Sequence, residues 1–308
     1  MFSKLRQINP VIILVSVPFF WGINFTVMKV GLQSLAPMSF NTSRLIIASI
    51  LSWILVWAFK AYKPMAWSDM PAIFSVSVLG FAIPQIGITW GVNYTTAGNS
   101  SLIMALIPIS VLLINVILGK EAVNKWGIRG IILSFIGVIL VILGSGSGLK
   151  ISSSDLIGVT ILLVAQFFAA YFTVFSKPLV EKYSPYQVIA YAMTISSLLF
   201  LLISVRSLAD INWIQLPGSA WVSILYSGIF ALAAGNCIWV WAVKKIGSTK
   251  TAVFNNLTPV FAIITGCFFL QETFGWSQLA GAFVILIGLI ITQRKQRIPK
   301  NLPLKANH

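Results

Sequence analysis

Ten stretches of this chain are each long and apolar enough to cross a bilayer as a helix. That pattern removes most other folds from consideration. A hydrocarbon core about 30 Å thick takes roughly 20 apolar residues of helix. The runs fall at 11–31, 39–59, 71–91, 98–118 and 127–144 in the first half, and at 155–175, 186–206, 221–243, 250–270 and 275–292 in the second. Their connections are short and leave no room for a soluble domain. Composition agrees: 58% of the 308 residues are hydrophobic and only 9% charged, too few charges to cover a globule in water. Lys4 and Arg6 ahead of the first run imitate a secretory signal. No small-residue cleavage site follows and the run reaches spanning length, so an uncleaved first helix is expected.

The charge balance is +15, from 21 Lys and Arg against 6 Asp and Glu. In a soluble protein this excess points to nucleic acid. In a membrane protein it records sidedness, because basic residues gather in cytoplasmic loops. With the first residues placed inside, seventeen basic residues fall on the inner side. Three, Lys29, Lys150 and Arg206, fall on the outer, and Arg44 lies within the second run. The expected topology therefore has both termini cytoplasmic, and no nucleic-acid partner is implied.

At an offset of 151 the chain matches itself without a gap: Trp90 falls on Trp241, Leu106 on Leu257, Pro108 on Pro259, Glu121 on Glu272, Gly130 on Gly281 and Gly137 on Gly288. At an offset of 147, Phe25-Thr26-Val27 falls on Phe172-Thr173-Val174. Each copy holds five runs, and an odd number sends the two copies through the membrane in opposite senses. The expected fold is an all-α integral membrane protein of ten transmembrane helices in two inverted five-helix repeats, 11–144 and 155–293, followed by a basic cytoplasmic tail, 294–308. Inverted repeats are a recurrent transporter plan, with the substrate site near the midplane and alternating access.

The motifs at these positions resemble the EamA family of the drug/metabolite transporter superfamily. Trp21-Gly22-Ile23-Asn24-Phe25 is similar to the family's W-G-x-N-F, and Pro37, Arg44 and Ala48 to its second helix. Pro108, Gly119-Lys120-Glu121, Gly130 and Gly137 resemble the end of each repeat. The second copy keeps Pro259, Glu272, Gly281 and Gly288, but has Leu270-Gln271 in place of the Gly-Lys. The resemblance covers about 11–293. It implies a bacterial inner-membrane carrier, often an exporter of amino acids or related metabolites, and no particular substrate.

Polar side chains inside spans are costly and usually face the protein interior or a wet cavity. Asn24 in the first run has Tyr171 as its repeat partner in the sixth. Gln85 in the third matches Asn236 in the eighth. Asn255, Asn256 and Thr258 crowd the ninth just before Pro259, and Gln166 lies in the sixth. As a set these residues are expected to line a cavity; each alone could serve only as a bond between helices. Trp21 and Trp239 lie deep enough to form an apolar wall, whereas Trp90, Tyr94 and Trp241 belong to interfacial belts, as Lys29 does. Pro108 and Pro259 are expected at kinks, serving either as hinges or as fixed bends. Arg44 could snorkel outward, hold a substrate carboxylate or bind a loop carbonyl. The resemblance, which places an Arg here in carriers of varied substrates, favours a structural or gating role. The seven-spaced glycine pairs and Gly87-x-x-x-Gly91 permit close helix contact, within the scaffold or between subunits of a homodimer.

All six acidic residues, Asp69, Glu121, Asp155, Glu181, Asp210 and Glu272, sit in loops or at run ends, and the sole histidine is His308. Proton relays usually use a buried carboxylate or His. A uniporter or exchanger is expected, or coupling through Glu121 or Glu272. Residues 144–150 lack the glycine a phosphate loop requires and read as a linker. No catalytic residue, metal site or cofactor is expected, and Cys237 and Cys267 lie too far apart in depth to pair. The function these features point to is secondary transport of a small organic metabolite, with the lipid bilayer as the other partner and a monomer or homodimer as the assembly. Uptake of a metabolite and drug efflux stand as alternatives within transport. A membrane-embedded enzyme would need carboxylates, His or Cys clustered at one interface, which are missing.

Overall fold

The computed structural model describes residues 13–119, 125–144 and 153–293. Lys4, Arg6, Glu121, the linker and the basic tail lie outside the described residues. Every regular element among the described residues is helical. The helical segments run as rods, labelled in chain order. They are α1 Ser16–Leu32, α2 Pro37–Ala58, α3 Trp67–Tyr94, α4 Ala97–Ile117, α5 Lys125–Gly144, α6 Ser153–Lys182, α7 Pro185–Ala209, α8 Gly218–Ile246, α9 Ser248–Leu270 and α10 Trp276–Gln293. Among the described residues seven, α2, α3, α4, α6, α7, α8 and α9, are long and apolar enough to cross a membrane, and Trp276–Ile291 of α10 is a shorter apolar helix.

Local chemistry sets the ends. Pro37 and Pro185 occupy the first turns of α2 and α7, where the missing N–H costs nothing. Thr96 and Ser184 cap α4 and α7 by accepting from the N–H groups of Asn99 and Gln187. The α8–α9 turn is made by Gly247 at a φ of 87°, a conformation glycine adopts without strain. α6 runs well past the expected 155–175, to Lys182. Hydropathy sees only the apolar part of a helix, and this one continues through a polar end carrying the Lys177–Glu181 ion pair.

Four rods are interrupted near mid-length. α3 contains a π-helical segment at Val78–Ala82 and α8 a longer one at Ser227–Gly235. α4 breaks between Met104 and Ile107, and α9 tightens to a 3-10 turn at Phe254–Leu257. Pro84, Pro108 and Pro259 each open the segment that follows. π-Bulges and prolines both leave backbone groups without their usual intrahelical partners.

The rods pack in a consistent set of pairs. α1 meets α8 and α9, and α6 meets α3 and α4. α2 packs on α7 and α8, and α7 on α3. α5 and α10 form a separate tight pair. Their seam runs along the seven-spaced glycines: a Cβ on Gly137 would lie 2.7 Å from the backbone N of Ile285, and one on Gly281 2.7 Å from the Gly137 carbonyl. These glycines therefore serve contact within the chain. The outward faces are apolar, with Ile50, Ile54 and Trp57 of α2, Leu202 and Ile203 of α7 and Phe268 and Phe269 of α9 all exposed. Such a surface suits lipid.

Candidate functional site

The interruptions of α3, α4, α8 and α9 surround one cavity in the middle of the bundle, with about 100 Å³ open to the centres of water-sized molecules. Helices from both halves of the chain line it. Its walls are mainly apolar, with Phe25, Phe81, Ile88 and Phe172 among them. A few polar groups break that surface, the usual make-up of a small-molecule site.

One polar group is Arg44, on α2 and only 1% exposed. Its Nε donates to Asn41 Oδ1 at 2.8 Å. Nη2 donates to Gln85 Oε1 and Thr89 Oγ1, both at 2.9 Å, and Nη1 to Met28 Sδ at 3.2 Å. The Phe40 ring lies 5.4 Å from the guanidinium. Every partner is neutral, and the side chain does not snorkel to the surface. Asn41 and Thr89 were missed from the sequence, although their spacing offers a signal: one turn from Arg44 and from Gln85 on the same helices.

Asn24 lies beside this cluster. Its Nδ2 donates to the same Met28 sulfur at 3.2 Å, and its Oδ1 accepts from the Ser227 hydroxyl in the π segment of α8. Also on the cavity wall, the Trp21 and Trp239 rings lie 4.9 Å apart at a tilt of 45°. Trp21 Nε1 donates to the Ala231 carbonyl at 2.9 Å, and Asn236 Nδ2 to the Leu232 carbonyl at 2.9 Å. Side chains thus add donors to carbonyls of the π segment. Trp239 Nε1 donates to Thr173 Oγ1 at 3.1 Å. In α9, Asn255 Nδ2 donates 2.7 Å to the Met104 carbonyl, the group that would bond the N–H Pro108 lacks. Thr258 completes this corner by donating to Asn255 Oδ1 at 3.1 Å.

Comparison with known proteins places this arrangement. The model of the EamA-like transporter family matches residues 9–143 and again 156–294. The chain belongs to the EamA-like transporter family. It is therefore a multi-pass membrane transporter. A relative from Archaeoglobus fulgidus named as an uncharacterized transporter is 29% identical over 90% of this chain and 96% of its own length. Another uncharacterized transporter, from Bacillus subtilis, is 26% identical over 96% and 97%. A protein of Streptantibioticus cattleyicolor named "Probable terminal-alkyne amino-acid exporter" is 26% identical over 89% of this chain and 90% of its own. One crystal structure superposes with a TM-score of 0.70 over 92% of this chain and 97% of that one, at 13% identity, a likeness of fold alone.

Of the residues expected at the site, this EamA-like transporter gathers Trp21, Asn24, Arg44, Gln85, Asn236, Trp239 and Asn255 around the cavity. It does not bring Gln166, Tyr171 or Asn256 there. Gln166 Nε2 donates to Ser110 Oγ at 2.9 Å, tying α6 to α4, and its Oε1 is buried without a partner. The Tyr171 hydroxyl bonds Ser75 Oγ at 2.7 Å while its ring stacks on Phe175. Asn256 is half-buried with its Oδ1 unpartnered.

The described acidic residues stay at the ends of the bundle. At one end Asp69 accepts from Lys182 Nζ and from the Tyr183 hydroxyl. Beside it Gln187 exchanges two hydrogen bonds with the Lys63 backbone. At the other end Glu272 accepts from the backbone N–H groups of Ala97 and Gly98, at 2.8 and 3.2 Å, at the start of α4. Asp155 there accepts from Thr95 Oγ1 at 2.7 Å. Glu272 is thus a helix cap joining the two halves, away from the cavity wall. Cys237 is buried, Cys267 exposed, and both are free thiols.

Proposed function

We propose that this transporter is a secondary carrier that moves one small organic metabolite, an amino acid or a related compound, outward by alternating access. The observation that carries this reading is the cavity, walled by α1 to α4 of the first half and by α6, α8 and α9 of the second. A site shared between two halves is where rocking motion can change the side of access. The helix pairings support an inverted five-plus-five repeat, 11–144 and 155–293. Exchanging each helix with the one five places on turns α1–α9 into α6–α4, α1–α8 into α6–α3 and α2–α8 into α7–α3, and leaves α2–α7 and α5–α10 unchanged. Ten spans, a cytoplasmic placement of both termini and residence in a bacterial inner membrane complete the proposal, the orientation resting on the distribution of basic residues. Export of an amino-acid-like solute is supported by the name of the Streptantibioticus relative.

The test is flux by the purified protein in liposomes. Asn24→Ala, Gln85→Ala and Asn236→Ala should each lower flux of a transported solute while leaving membrane insertion unchanged. Normal flux by all three variants would overturn the cavity assignment. The mechanism of coupling reads as uniport or exchange, because the acidic residues described lie away from the cavity. Uphill accumulation under an imposed pH gradient that survives Glu121→Gln and Glu272→Gln would refute it.

A further inference from the structure

The cavity wall carries one formal charge among the described residues. Arg44 lines it, and no Asp or Glu does. Burying an isolated ion is expensive unless a counter-charge or a full set of hydrogen bonds accompanies it. A guanidinium has five N–H donors. Asn41, Gln85 and Thr89 take three through oxygen, and Met28 takes a fourth through sulfur, a weak acceptor. One Nη1 hydrogen is left without an acceptor, and the charge without a counter-ion. Gln85 presents a second donor on the same wall, since its Nε2 has no protein partner while its Oε1 is held by Arg44. Asn236 Oδ1, likewise without a protein partner, offers an acceptor from α8.

We propose that the transported solute carries a carboxylate and that Arg44, with Gln85 beside it, receives that group. The inference rests on the carrier reading above and narrows it to a class of substrate. A carboxylate can accept from the remaining Nη1 hydrogen of Arg44 through one oxygen and from Gln85 Nε2 through the other, and it brings one negative charge to one positive charge. A phosphate monoester would arrive with nearly two negative charges and leave one of them buried without compensation. The rings of Phe81, Phe172, Trp21 and Trp239, which also line the cavity, suit the apolar remainder of the same solute. An amino acid's ammonium group has amide oxygen to meet, at Asn236, and no carboxylate. The carboxylate is therefore the recognised end.

The experiment loads proteoliposomes with L-phenylalanine, L-norleucine, their primary amides, the corresponding amines lacking the carboxyl group, and O-phosphoethanolamine, a phosphate monoester without a carboxyl group. Efflux of each is read by mass spectrometry after subtraction of protein-free liposomes. The acids are expected to leave faster than their amides by about tenfold or more, the size of a charge-assisted hydrogen bond lost. Arg44→Gln should bring that ratio towards one, and Arg44→Lys should keep part of it. The wild-type ratio alone decides the substrate class, so a folding failure of either variant leaves the proposal testable. Efflux of amides, amines or O-phosphoethanolamine at the rate of the acids or above overturns the inference and leaves the carrier reading standing. An acid preference that persists in Arg44→Gln removes Arg44 from the role. No efflux in any arm overturns the proposed export of an amino-acid-like solute itself.

Discussion

Pro108 has no N–H to offer the Met104 carbonyl four residues before it, and Asn255 supplies a donor from the other half of the chain. The bond is buried: Asn255 is 2% exposed and Met104 5%. Asn255→Ala should therefore cost about 1–3 kcal/mol, the usual penalty of a stranded buried carbonyl, and lower the melting temperature in detergent. An unchanged melting temperature would mean that another donor takes over. The spacing of residues alone does not reveal such a partnership, because it joins positions 151 residues apart on different helices. The same holds at Arg44. Its depth was legible from hydropathy, but its burial among Asn41, Gln85, Thr89 and Met28 depends on how α1 and α3 pack on α2.

The interruptions give the elements their shape. At the repeat offset of 151, the π segment of α3 falls within that of α8, and the break in α4 falls on the 3-10 turn of α9. The prolines at 84, 108 and 259 mark three of these places in the sequence; the π segment of α8 has no proline, and no simple pattern announces it. Pro108→Ala restores an N–H able to compete with Asn255 for the Met104 carbonyl and favours a straighter α4. Flux should fall on the order of tenfold, a barrier change of about 1.4 kcal/mol, with the melting temperature held or raised. Equal flux would make the break a fixed bend. The α5–α10 seam behaves differently, as rigid scaffold. Gly137→Val would drive side-chain atoms into the backbone of α10, costing about 1–3 kcal/mol as judged by thermal unfolding.

At the scale of the whole molecule, both ends of the bundle are held by polar contacts. Asp69, Lys182 and Tyr183 join the start of α3 to the α6–α7 turn, and Glu272 joins the loop after α9 to the start of α4. Under the alternating access proposed above, these contacts would be the closures that release in turn. Asp69→Asn and Glu272→Gln should therefore shift accessibility in opposite senses. A cysteine introduced at Ala169, a small residue of the cavity wall, in a chain lacking Cys237 and Cys267 should label faster from the side whose closure was weakened. Labelling that both variants raise from the same side would show that one of the two contacts does not act as a closure.

The sequence alone determined the class of fold, the apolar runs, their repeat and most of the polar residues around the cavity, because lipid imposes one simple requirement. A span must be apolar where it meets hydrocarbon, and its rare polar groups must turn inward. That requirement marks depth along a helix but not direction around it. Tyr171 lies two residues from both Ala169 and Thr173 in a turn of 3.6, so when those two face the cavity it faces α3 instead. Asn256 is turned from Asn255 for the same reason, and Gln166 is covered by Ser110 of α4. The tertiary structure decided these rotations, the π segments and the burial of a single charged group in a cavity otherwise lined by neutral residues. Each depends on which helices press against which, a matter of packing between distant parts of the chain.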